Sequence, residues 1–432
     1  MKDIVVKQVL ALDIRFPTSR ELDGSDASNP APDYSAGYAI IETNRSGLRG
    51  HGLTFTIGDG TDLVVAAIHS LSRFVRGKTL SGIVDDMPAF YATLARDQQL
   101  KWVGPEKGVV HLACAAIVNA VWDLWSKALG KPAWRLIAEM APEQLVRCID
   151  FSYIADALSP REALDMLRDG EKSKSDRVKE VMERGYPAYN TSAGWIGYDD
   201  DKILRLCTSA RDAGWDKFKL KVGRSLVDDI RRCEIIRGVI GDDALLMLDA
   251  NQVWNVGEAI EWLRPLRKFR PTWIEEPTSC DDVFGHLEIK KATGIPIATG
   301  EQCHNRVMFK QFLYAKAMDY CQVDPCRVGG LTEAIAVLLL AHAKGVPVCP
   351  HTGGVGLCEI SQHLAIVDFI CVSRTMDGRM LEYVDHLHEH FVDPVQVRGG
   401  RYLPPMKPGL SQELMTEAIT EFAYPGGAAW KS

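Results

Sequence analysis

The sequence predicts an α/β barrel preceded by a separate α+β unit. Three observations carry that expectation. From about residue 217, short apolar runs alternate with segments of helical period, the pattern of βα units on a parallel sheet. Six of these runs end in a polar or ionisable residue: Lys221, Asp249, Glu275, Glu301, Asp324 and His351. The steps between them are 28, 26, 26, 23 and 27 residues, about one βα unit each. A doubly wound sheet could share this rhythm. However, no Gly-rich dinucleotide fingerprint follows a first strand, and functional groups on six strand ends suit a closed barrel, whose sites lie at the C-terminal ends of the strands.

Residues 1–143 read differently. "IVVKQVLALDI" and "YSAGYAIIETN" look like antiparallel strands around a polar loop, and helical segments follow, including "VVHLACAAIVNAVWDLWSKAL". This is the α+β unit. Residues 144–386 form the barrel. Within it "LVRCIDFSYI" reads as the first strand, with a long insertion before "FKLKVG". "ALLMLDAN", "TWIEEP", "IPIATGE", "DYCQVDP" and "VPVCPHTGG" supply the middle strands, and "RMLEYVDH" supplies a last one ending near Glu382. Residues 387–432, rich in Pro and Gly, return to cover the first unit.

Composition narrows the function classes. The chain has 432 residues, of which 46% are hydrophobic and 25% charged, enough for a large core. A net charge of -7 argues against a nucleic-acid partner, which favours a basic stripe. No run of 18 apolar residues occurs, so no membrane partner is expected. The start "MKDIVVKQVLALDIRF" reads as a strand, not a signal peptide. The eleven cysteines include no CxxC pair, which points to reduced buried thiols and a cytoplasmic location.

The strand ends carry the chemistry. Asp249, Glu275 and Glu301 fall on successive strands, and three carboxylates together repel unless a cation neutralises them. Each alone could be a helix cap, but the three in succession favour a metal. Oxygen-only ligands select a hard ion such as Mg²⁺, for which Mn²⁺ can substitute. In "WIEEP", strand alternation turns Glu276 away from Glu275, a structural position. Asn251 shares the side of Asp249. In "DKFKLKVG", Lys217, Lys219 and Lys221 share one face of a strand. A surface strand would leave them solvated, whereas a barrel strand points them inward. Beside a divalent cation an inward lysine is pushed toward its neutral form, a general base. Lys221, nearest the strand end, takes that role. Lys219 is placed to hold a substrate carboxylate, and Lys217 stays outside the site. A lone histidine is usually structural, but a carboxylate from Asp324 would orient His351 and poise it as an acid or base. The run "DHLHEHF", with His386, His388 and His390, lies past the barrel and is a weaker metal candidate.

The KxK of "FKLKVG", followed by "LDAN", "WIEEP", "TGE" and the Asp324–His351 pair, resembles the mandelate racemase branch of the enolase superfamily. "RFPTS", "DYSAGYAIIET", "WVGPEKGVVHLA", "ATGEQCHNRVMFKQ" and "EYVDHLHEHF" look like the L-fuconate dehydratases of that branch. The resemblance implies a (β/α)7β TIM-like barrel under an α+β capping domain. It implies Mg²⁺ on Asp249, Glu275 and Glu301, with Lys221 and His351 as acid and base. It also implies substrate contacts from Gly24, Ser25, Asp26 and Tyr34 of the cap, and from Lys219, Glu301 and Glu382. The expected reaction is dehydration of an acid sugar, L-fuconate first, to a 2-keto-3-deoxy acid, in a symmetric homo-oligomer. Alternatives are another aldonate, a C2 racemase or epimerase, and a non-catalytic metal-bound binding protein.

Overall fold

The computed structural model describes residues 1–104 and 106–431. Strands β1 (Val6–Arg15), β2 (Ser35–Thr43) and β3 (Arg49–Thr56) form an antiparallel sheet in that order. Its apolar side lies against the helix Gly108–Ala128. Gly50 and Gly52 of β3 make that contact possible. A Cβ at either would stand 2.2 or 2.3 Å from the carbonyl oxygens of Ala120 and Ala116, so only glycine lets strand and helix backbones approach. The helix is long and apolar enough to cross a membrane, but residues 110–126 are buried inside the protein, as an all-round apolar core helix requires.

The end of the tail joins this unit, whereas residues 397–402, expected to return here as well, pair with the second sheet instead. Ala423 bridges to Ile14, and the Tyr424 N–H donates to the Asp13 carbonyl at 2.9 Å. The Trp430 Nε1–H donates to the Arg15 carbonyl at 3.0 Å.

The second sheet is parallel except at one edge, where Val397–Arg398 and Arg401–Tyr402 of the tail pair antiparallel and Arg401–Tyr402 lies against the first parallel strand. It runs β4 (Tyr186–Asn190), β5 (Lys217–Lys221), β6 (Leu245–Asp249), β7 (Ile274–Glu275), β8 (Ile297–Thr299) and β9 (Tyr320–Cys321). Past β9, Cys321 forms a parallel bridge with Val348. On the other side β10 (Leu381–Tyr383) pairs in parallel with β4. Helices follow the strands, and polar side chains start several of them. Asp199, Ser225, Asp282 and Asn305 each accept a first-turn N–H, and Asn255 with Glu258 makes a capping box.

The first strand of this sheet is β4, not residues 145–154 as the sequence predicts. "LVRCIDFSYI" finishes the helix Pro142–Val146 and continues as turns. Its apolar residues Cys148, Ile149 and Ile154 are buried by packing rather than by strand pairing. The helices Pro160–Asp169 and Lys174–Arg184 separate it from β4.

Strand β5 decides where its lysines go. Phe218 and Leu220 join Leu246, Leu248, Ile236 and Leu263 in the layer between sheet and helices. Lys219 and Lys221 take the opposite face and are 1% and 5% exposed. Lys217 begins the strand, paired with Asp216 at 2.5 Å and part-exposed.

A buried ionic network fastens the first unit to the second. Arg306 opens the helix Arg306–Ala315. Its guanidinium lies 2.8 Å from Glu333, 2.9 Å from Glu106 and 3.2 Å from Asp150. His111 Nε2 stands 2.8 Å from Glu333, and the Tyr91 hydroxyl donates to the same carboxylate at 3.2 Å. Burial alone would raise the Glu333 carboxyl, but His111 and Arg306 outweigh it and hold the group far below the usual carboxylate range.

Candidate active site

Strand register builds the centre of the site. Lys221 is paired directly with Asp249, and Asp249 with Glu275, so three adjacent strands present these side chains at one level. Glu301 arrives from the loop two residues past β8. One oxygen each from Asp249, Glu275 and Glu301 can be chosen so that all three lie within 4.8 Å of one another. All three residues are buried, and Glu301 Oε2 has no hydrogen-bond partner among the described residues. Burial, then Asp249, pushes the Glu275 carboxyl up to about 8, against the pull of Lys219. An oxygen-only donor set with crowded negative charge fits a hard divalent cation.

Glu276 lies outside the three-carboxylate group, but strand alternation does not set its direction. Strand β7 ends at Glu275, and Glu276 takes a left-handed φ of 39°. Its carboxylate accepts from Gln252 Nε2 at 2.9 Å and lies near enough to Glu301 and Asp249 that their charges, after burial, hold it well above the usual range.

Both inner lysines face carboxylates. Lys221 Nζ donates to Asp249 Oδ2 at 2.5 Å and to Asn251 Oδ1 at 3.0 Å. Lys219 Nζ lies 2.7 Å from Glu382, 2.8 Å from Glu275 and 3.3 Å from Asp249. Burial works against each ammonium, yet the carboxylates prevail and both amines sit above the ordinary lysine value. The expectation of a neutral lysine therefore needs a cation that takes up the carboxylate charge.

On the other side of the cluster, His351 Nδ1 is 3.0 Å from Asp324 Oδ2, and Nε2 is 3.4 Å from Glu301 Oε2. Burial favours the neutral ring, but Glu301, Asp324 and Glu382 push it up to about 10. Gly353 lies against the ring. A Cβ there would stand 2.9 Å from Nε2.

Lys221, Asn251, Glu301, Asp324 and His351 line one cavity of about 250 Å³. Its other wall comes from the first unit, with Gly24, Asp26, Asn29, Tyr34, Phe55 and Leu112. Asp26 accepts the N–H groups of Ser28 at 2.7 Å and Asn29 at 2.6 Å, and these bonds shape the loop. Three of the expected substrate-contacting residues are not on the wall. Ser25 is buried, and its hydroxyl accepts the Gly197 N–H at 2.9 Å, pinning the loop to the second unit. Lys219 and Glu382 are fully enclosed behind the lining, where Glu382 also accepts from Thr191 at 2.6 Å and from the Thr352 N–H at 2.9 Å. The charges of Lys219 and His351 hold Glu382 far below the usual range against the effect of burial.

Sequence reasoning missed several lining residues. Trp195 has its ring 5.6 Å from Lys221 Nζ. Arg327 donates to the Glu301 carbonyl at 3.3 Å and pairs with the Gln302 side chain. The only signal for Gln302 and Arg327 was their place beside Glu301 and Asp324. The histidines of "DHLHEHF" do not form a cation-holding group among the described residues. His388 is bound to Glu359 at 2.7 Å, and His386 packs near Tyr34 with ring centres 5.4 Å apart.

Comparison with known proteins agrees with this geometry. The L-galactonate dehydratase of Hypocrea jecorina is 50% identical over 438 residues, covering 100% of this chain and 97% of its own. The crystal structure of human mitochondrial enolase superfamily member 1 superposes with a TM-score of 0.98 at 52% identity, covering 100% of this chain and 99% of that one. The L-talarate/galactarate dehydratase of Salmonella typhimurium LT2, solved with Mg and L-lyxarohydroxamate, has a TM-score of 0.75 at 25% identity, covering 96% and 92%. Residues 202–418 match the family described as enolase C-terminal domain-like. The chain, with its parallel-strand α/β fold, belongs to the enolase superfamily.

Proposed function

We propose that the protein is an acid-sugar dehydratase of the mandelate racemase branch, with L-fuconate as its preferred substrate and its parallel strands closing as a (β/α)7β barrel. The observation that carries the proposal is the placement of Lys221 and His351 on one cavity, on either side of the Asp249, Glu275 and Glu301 cluster. L-Galactonate is the nearest competing substrate, because it differs from L-fuconate only by a hydroxyl on C6 and names the activity of a relative 50% identical to this chain.

Asp249, Glu275 and Glu301 would hold Mg²⁺. Once bound, the ion would neutralise the three carboxylates and stabilise charge developing on the substrate carboxylate. Lys221 Nζ takes the proton from C2. His351, oriented through Nδ1 by Asp324, donates a proton from Nε2 to the C3 hydroxyl, which leaves as water. The electron pair of the broken C2–H bond becomes the new C2–C3 double bond, and the enol tautomerises to the 2-keto-3-deoxy acid. Gly24, Asp26 and Tyr34 select the sugar chain from the cap side. Ser25, Lys219 and Glu382 act from behind the wall by fixing the loop, the carboxylates and the Thr352 backbone.

The test is turnover of L-fuconate and L-galactonate with Mg²⁺ in D₂O, followed by NMR. Wild-type protein should release a 2-keto-3-deoxy acid. His351→Asn should block loss of water yet still exchange C2–H for deuterium, whereas Lys221→Ala should neither lose water nor exchange. Exchange kept in Lys221→Ala and lost in His351→Asn would reverse the two roles. A C2 epimer without loss of water would replace dehydration by epimerisation.

A further inference from the structure

We propose that Cys280, Asp281 and His304 form a second cation site that takes a thiophilic divalent ion of the Zn²⁺ type. None of the three lines the cavity described above. The loop after β7 supplies Cys280 and Asp281, and the loop after its neighbour β8 supplies His304. In each loop the next residue does the local structural work. Asp282 Oδ1 accepts the Gly285 N–H at 2.7 Å, and Asn305 Oδ1 accepts the Val307 N–H at 3.0 Å, so each starts its helix. Neither Asp281 nor His304 is needed as a cap.

Their donor atoms converge. One atom from each residue can be chosen so that all three lie within 4.8 Å of one another. Asp281 Oδ1 is 3.1 Å from His304 Nε2 and 4.0 Å from Cys280 Sγ. Ordinary zinc bond lengths in a tetrahedron give an O···N edge of about 3.4 Å and an O···S edge of about 3.6 Å. Both edges need move by only a few tenths of an ångström. The Cys280 backbone is already anchored, its N–H donating to Gln252 Oε1 at 2.9 Å. Ten of the eleven cysteines are buried, and Cys280 alone reaches partial exposure. Solvent can reach the cluster through Asp281 and fill a fourth ligand position.

The donor set sets the ion class. Sulfur with imidazole selects Zn²⁺, Co²⁺ or Cu⁺ over Mg²⁺, while the three-carboxylate cluster selects the reverse. Binding displaces the thiol proton to solvent, leaving sulfur as thiolate, with no change of oxidation state.

The test is a Co²⁺ titration of the full-length protein saturated with Mg²⁺, read by absorption. A thiolate-to-cobalt charge-transfer band should grow to one equivalent and vanish on adding Zn²⁺. The three-carboxylate cluster has no sulfur donor and cannot produce the band, so the result is independent of the dehydratase proposal. Cys280→Ser should remove the band and keep dehydratase turnover. His304→Ala should weaken Co²⁺ binding at least tenfold, since loss of even an outer partner of a metal site costs about 10- to 100-fold. Absence of the band in the wild type, its persistence in Cys280→Ser, or undiminished affinity in His304→Ala would each overturn the site.

Discussion

The buried charges at the junction of the two units and those of the catalytic site are built to opposite ends. At the junction of the two units, the carboxylates of Glu333, Glu106 and Asp150 meet Arg306, Arg96 and His111. Each charge there has an opposite partner, and Glu333 is held far below its usual value. In the catalytic cluster, Asp249, Glu275, Glu301 and Glu382 crowd around Lys219 and Lys221, with His351 to one side. Glu275 is pushed up to about 8, and Glu301 Oε2 has no hydrogen-bond partner among the described residues. A matched network serves as a fastening. A mismatched one is a receptor for a cation. Both hold carboxylates in the interior, so the balance of charge distinguishes them.

The largest test of this contrast is removal of the metal. Chelation should abolish turnover, Mg²⁺ should restore it, and Mn²⁺ should restore part of it. Full activity after chelation would mean that the catalytic cluster compensates its own charge. The junction should respond to a different insult. Arg306→Met leaves three buried carboxylates short of a partner and should cost about 3–5 kcal/mol of stability in urea unfolding. A cost under about 1 kcal/mol would show that the junction is not a matched network. Glu275→Gln should behave in the opposite way. It relieves a crowded carboxylate, so stability should stay within about 1 kcal/mol of wild type while Mg²⁺-dependent turnover is lost. The smallest effect belongs to Lys217→Ala, on the same strand as the inner lysines. It should change stability by less than about 0.5 kcal/mol and leave turnover intact.

The catalytic cluster was the more legible of the two. Strand alternation put Lys219 and Lys221 on one face, and one βα unit per functional group brought Asp249 and Glu275 level with Lys221. Alternation failed where the strand did. Glu276 follows a two-residue strand and takes a left-handed conformation, so no period governs its side chain. The first parallel strand was misplaced because "LVRCIDFSYI" has the apolar content of a strand but spends it on packing. "YPAYN", which is the strand, carries Pro187 and polar-tipped residues that look like a turn. The junction gave no sequence signal, and on the cap wall only Gly24, Asp26 and Tyr34 were legible, through the family resemblance. Glu106 and Arg306 lie 200 residues apart. Phe55 and Leu112 meet the catalytic residues only through tertiary packing.

The closing of the tail over β1 bears on how the chain matures. Trp430 and Arg15, whose contact helps finish the first unit, are 415 positions apart. During synthesis the early strands emerge long before their last partners exist. Loop closure over such a span is slow compared with local pairing. The parallel pairings from β5 to β9 are far shorter in range and can form while β1 still waits for the tail. Truncating the last ten residues should therefore injure the part of the protein that was made first.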